Sequence, residues 1–320
     1  MVALAYSWAP APAPASAPGP SSPAACGRFA GWLTGRSLPD CTRVTGRLAA
    51  SGPPAIVVTY HHANGPRWRP DARLRRAMAQ LVALRSSAQG LQNVPPGPVL
   101  VEHWAFPDER RLPSRQGEAV GPEHINGGCT RAGGTIYCFR QEDYPKVWLH
   151  EGVHCFGLDL QPYPDALVRR LRRLLPTASP LLPNEAWTEL LATAHTTAFR
   201  VRAGVGTPAW SRAWEQECAH ALERAAALLA HMGYASAGEL FHRVWRERTN
   251  ALAYIVLRAA VMPLVEGWTA VRRPEDLHRL LDGGLRSPAF LAKLQAELDR
   301  RRGPDGAPSS GQRFRMTLHS

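Results

Sequence analysis

Residues 143–157 read DYPKVWLHEGVHCFG, and the fold turns on this stretch. Asp143 and Pro145 give a helix start signal, and Gly157 gives a stop. The spacing predicts a helix of about 13 residues that carries His150-Glu151-Gly152-Val153-His154. Two histidines four apart in a helix differ by about 40° around the axis and stand one turn apart. Both imidazoles can therefore reach one Zn2+, and Glu151 flanks the same face within reach of a metal-bound water. A catalytic zinc site of this type needs a third protein ligand and keeps a fourth position for water.

Working outward, the upstream chain alternates between strand and helix patterns. AIVVTYHH (55–62) and PVLVEHWAF (98–106) read as strands around an amphipathic helix at 70–89. Gly127-Gly128 and Gly133-Gly134 bracket a turn ahead of a β-rich TIYCF at 135–139. Beyond Pro164 the pattern is helical, with predicted helices at 164–175, 184–201, 208–232, 236–262 and 274–300. The expected architecture is α+β and zincin-like: an αβ lobe over 30–160 that ends in the HExxH helix, then an all-α lobe over 161–302, with the site between them. Residues 1–29 and 303–320, rich in Pro, Ala, Ser and Gly with nothing periodic to bury, are expected to be disordered tails.

The second motif is Asn184-Glu185-Ala186-Trp187-Thr188-Glu189. Glu185 and Glu189 are again four apart on a predicted helix, so one carboxylate can bind zinc while the other accepts the ring N–H of a ligating histidine. HExxH followed by this N-E-x-x-[S/T]-[D/E] pattern resembles the gluzincin metallopeptidases, of which thermolysin is the best known. The resemblance covers residues 135–190. It implies zinc on His150, His154 and Glu185, Glu151 as general base, and Glu189 in the place of an aspartate that supports the first histidine.

Other residues compete for roles. Gly157 stands where metzincins carry a glycine, but their third ligand would then fall on Leu160, and Asp159 is one residue too early. His231-Met232-Gly233-Tyr234 reads as a helix terminus rather than a Met-turn. For the oxyanion donor that hydrolysis requires, Tyr254 on the apolar TNALAYIVLRAAVM helix is the first choice, followed by His195 and His242. Cys155 points to another face of the HExxH helix and reads as core. Arg169, Arg170, Arg172 and Arg173 read as a solvated helix face.

Across the 320 residues, 45% are hydrophobic and 20% charged, which excludes collagen-like, coiled-coil and wholly disordered chains. No run reaches the ~18 uninterrupted apolar residues of a membrane span, and the amino terminus lacks the charged and apolar regions of a signal peptide, so a cytoplasmic protein is the default expectation. The net charge of +12 comes almost wholly from arginine, since Lys146 and Lys293 are the only lysines. It reads as compositional, not as a nucleic-acid signal. The six cysteines read mostly as buried thiols, with Cys129 and Cys138 close enough to face each other across a hairpin.

The expected function is zinc-dependent hydrolysis of a peptide or protein substrate, which could add as a β-strand along 135–139. Two alternatives stand beside it: a catalytically inactive zinc-binding structural or interaction protein, and an arginine-rich nucleic-acid-associated protein.

Overall fold

The computed structural model describes residues 5–10, 42–49, 56–62, 71–88, 94, 96–204, 209–264, 271–302 and 314–318, with backbone only for 5–10, 42–49 and residue 62. Most of the expected amino-terminal tail, residues 303–313 and 319–320 of the carboxyl-terminal one, and Cys26 and Cys41 lie outside the described residues. The chain is α+β and divides into two compact units: Met1–Glu109, Gly127–Leu158 and Ser320 form one, and Arg110–Asn126 and Asp159–His319 the other. Residues 110–126, read from sequence with the αβ lobe, thus belong with the helical unit.

The first unit holds strands β1 (Ala5–Pro10), β2 (Thr42–Ala49), β3 (Ile56–His62), β4 (Val99–Trp104), β5 (Gly128–Cys129) and β6 (Ile136–Cys138). They form one mixed sheet in the order β1-β2-β3-β4-β6-β5. β3, β4 and β6 run parallel, and the outer pairs are antiparallel. Helix α1 (Ala72–Ser87) makes the crossover that a parallel β3–β4 pair requires. It begins where Asp71 Oδ1 accepts the Leu74 N–H at 2.8 Å. Its buried residues Leu74, Ala77, Met78, Leu81 and Leu84 recur at helical spacing. Across the sheet, Ile56, Val58, Val99, Val101 and Ile136 are buried. Each such side chain contributes roughly 1.5–3 kcal/mol when fully buried.

Three expectations for this unit change. Residues 5–10, placed in a tail, pair with 42–49, a strand the sequence reading lacked. The stretch proposed for strand addition, 135–139, is interior, because β6 lies between β4 and β5. The hairpin register opposes Gly128 to Cys138 and Cys129 to Tyr137. A one-residue offset turns Cys129 and Cys138 to opposite faces, and accordingly Cys138 is a buried thiol outside any disulfide while Cys129 is disulfide-bonded.

The second unit holds α2 (Pro122–Ile125), and later α4 (Asp165–Leu174), α5 (Asn184–Arg202), α6 (Trp210–His231), α7 (Arg258–Val261), α8 (Pro274–Arg286) and α9 (Pro288–Arg302). Helix α3 (Tyr144–Cys155), described below, belongs to the first unit. α5 packs against α6 and against a π-helical stretch, Leu252–Leu257, that runs into α7.

The predicted helix 236–262 is broken. After a 3-10 turn at Ala237–Phe241, the chain leaves helical geometry to pair with 176–179: Trp245 N donates to Pro176 O at 2.9 Å and Ser179 Oγ to Glu247 O at 2.7 Å. Tertiary hydrogen bonds override local propensity here. The predicted helix 274–300 splits at Ser287, which is extended (ψ 119°) because Pro288 bars it from helical geometry. Residues 314–318 also depart from the expected tail, since Phe314, Met316 and Thr317 are buried. No helix among the described residues is long and apolar enough to cross a membrane.

Candidate metal centre

The HExxH sequence lies on α3 (Tyr144–Cys155). Its start differs in detail from the capping expectation. Asp143 is the boundary residue, but its backbone is left-handed (φ 53°) and its side chain makes no capping hydrogen bond. The end follows the glycine rule: Gly157 has φ 68°, its N–H bonds His154 O at 3.1 Å, and Leu158 N bonds Val153 O at 2.9 Å.

The helix is placed by its buried side. α3 packs on α1 and β6. At Gly152 an added Cβ would stand 2.7 Å from Leu81 Cδ1 and 3.0 Å from Leu84 Cδ2, so the glycine inside the motif is what permits this approach. Cys155 is fully buried, its Sγ donates to Gly134 O at 3.3 Å, and burial pushes the thiol up to about 11, the inert core role expected.

The other side of α3 is half-buried at His150 and His154. Their ring centroids are 5.1 Å apart with planes inclined at 73°, one imidazole a turn above the other. Glu151, 5% exposed, is held from a direction the sequence did not reveal. A Cβ on Gly128, in strand β5, would lie 3.0 Å from Glu151 Cγ and 2.6 Å from Tyr137 O. The strand backbone therefore rests directly on the stem of the carboxylate.

Glu185 stands in the first turn of α5 and is 8% exposed. Among the described residues, the one group of three or more His, Cys, Asp or Glu side chains able to share a metal ion is His150, His154 and Glu185. One ligand atom from each lies within 4.8 Å of the others. Two imidazole nitrogens and a carboxylate oxygen are a borderline donor set that suits zinc. Asp159, the rival ligand, is buried and outside this group.

The remaining candidates separate. Glu189, one turn beyond Glu185, has a partner the sequence did not indicate: Arg258 Nη1 donates to its Oε1 at 3.1 Å, and the two side chains are only 1% and 5% exposed. Glu189→Ala is therefore expected to lower stability by about 3–5 kcal/mol, because it leaves the Arg258 charge buried and unpaired. Denaturant unfolding checks this.

Tyr254 is half-buried in the π-helical stretch that packs on α5, and Asn250 Nδ2 reaches its hydroxyl at 3.5 Å. Wide helical turns of this kind recur at functional sites. His195 sits mid-α5, where burial lowers its pKa, and His242 is exposed after the 3-10 turn. Neither belongs to the metal group. Beside Glu185, the buried Asn184 Nδ2 has no hydrogen-bond partner among the described residues.

No protein-family model, curated protein or solved structure matches this chain.

Proposed function

We propose that the protein is a zinc-dependent metallopeptidase of the gluzincin type, with a zincin-like fold. The observation that carries this reading is the convergence of His150, His154 and Glu185 to within 4.8 Å, from two motifs separated in sequence. Zinc held by these three, when bound, supplies a Lewis acid that acidifies a water ligand and polarises a carbonyl.

The chain's own residues supply the remainder. Glu151 takes the proton of the attacking water and passes it to the departing nitrogen, the work of a carboxylate kept near the reacting atoms. Its stem lies against the backbone of Gly128, which leaves no room there for a side chain. Glu189 orients the helix turn that carries Glu185, and Tyr254 is the proposed donor to the oxyanion. An extended peptide would pair along β5, the terminal strand of the sheet on that side, in place of the interior stretch first expected.

Metal analysis of the purified protein should find about one zinc per chain, and a chelator should abolish cleavage of a denatured protein substrate until zinc is restored. Zinc without hydrolysis would favour the structural zinc protein. The arginine-rich alternative predicts nucleic-acid affinity that collapses with salt; cleavage that persists in its absence argues against that alternative.

A further inference from the structure

Residues 314–317 are each anchored on the second unit, and Leu318 is exposed. Phe314 N donates to Arg110 O at 2.7 Å, and the Arg224 guanidinium lies over the Phe314 ring, 5.3 Å from its centroid. His220 Nε2 is 3.2 Å from Arg315 O. Thr317 Oγ1 donates to Glu217 Oε1 at 2.6 Å, with both residues essentially without exposure. Between these anchors, Met316 O accepts from Arg258 Nη1 at 3.0 Å.

That nitrogen is the junction. The same Nη1 serves Glu189 Oε1 at 3.1 Å and Thr193 Oγ1 at 3.3 Å. An Nη group has two hydrogens for these three acceptors. Arg258 Nε and Nη2 are buried with no hydrogen-bond partner among the described residues. The guanidinium is thus held through one nitrogen, and loss of the Met316 carbonyl would redistribute both of its hydrogens onto α5. A buried cation with two unsatisfied donors is costly, which makes its orientation sensitive to each remaining acceptor.

We propose that residues 314–318 form a strap that, through Arg258, sets the position of Glu189 and hence of the α5 turn that carries the metal ligand Glu185. Arg258 and the strap are positioning elements and touch no reacting atom. The proposal rests on the zinc reading above and adds to it a control point far along the chain from both motifs.

Thr317→Val removes the donor to Glu217 at nearly constant volume. Its Kd for Zn2+, measured by competition with a chromogenic chelator, is expected to rise about 3- to 10-fold, and Thr317→Ser is expected to restore it. In a Glu189→Gln background the same substitution should change Kd by less than about 2-fold, because the coupling runs through that carboxylate. An unchanged Kd in Thr317→Val, or an equal change in both backgrounds, overturns the strap, since a purely structural role lowers Tm without this pattern. Should Thr317→Val not fold, Phe314→Leu is expected to show the same rise, and an unchanged Kd there is equally decisive. If the wild-type chain binds no zinc, the metal reading fails separately. Amide exchange then judges the strap: Thr317→Val should speed exchange over 184–202 at least about 3-fold more than over 274–286, and equal effects on the two helices refute it.

Discussion

Glu151→Gln is expected to keep the zinc content and melting temperature of the wild type while turnover on peptide falls by about 10²- to 10⁴-fold. Glutamine matches the shape of glutamate, so the packing of Gly128 against the Cγ atom is preserved. What is lost is an oxygen able to take a proton. Zinc analysis, thermal unfolding and steady-state cleavage by one preparation read the three quantities together. Undiminished turnover would end the assignment of Glu151 as the base, and zinc loss would make it a ligand instead.

The second large effect is on the metal itself. His154→Ala and Glu185→Ala are each expected to bring bound zinc below stoichiometry after dialysis and to reduce cleavage to background. Each variant leaves two protein ligands where a catalytic zinc keeps three. Glu185→Ala is the sharper of the two, because its carboxylate comes from a different motif and shares only the 4.8 Å convergence with the histidines. If Glu185→Ala retains a full complement of zinc and activity, the third ligand lies elsewhere and the gluzincin reading falls. Asp159, buried but outside the group, is then the residue to vary next.

The features legible in the sequence are those written in local spacing. His150 and His154 announce their shared face through a four-residue interval, and α3 ends at the glycine that sequence rules select. Helices α1, α5 and α6 follow their apolar periodicity to within a few residues. Features set by distant partners were hidden. The break in 236–262 follows from hydrogen bonds to Pro176 and Ser179, neither of which any period in that segment encodes. The hairpin register that parts Cys129 from Cys138 depends on an offset of one residue, below the resolution of turn signals. Arg258 stands inside the apolar TNALAYIVLRAAVM stretch, and its pairing with Glu189 exists only once α5 and α7 are packed. Residues 314–318 do carry an alternation of Phe314, Met316 and Leu318 in a region whose composition suggested a tail, although it is Thr317 and not Leu318 that is buried. Alternation over five residues is too short to separate from chance without the partner surface.

Gly128 carries a consequence for how such a protein can change over generations. Its missing side chain is the space that Glu151 Cγ, Val147 Cγ1 and the Tyr137 carbonyl occupy. Any substitution there adds a carbon within 3.0 Å of all three, so the Tyr137 backbone, Val147 or the stem of Glu151 must shift to admit it. The position belongs to neither motif and would pass for an ordinary turn glycine in a strand of two residues. If Glu151 is the base proposed above, a lineage could therefore lose its chemistry by a single change outside both motifs, with His150, Glu151, His154 and Glu185 all still in place.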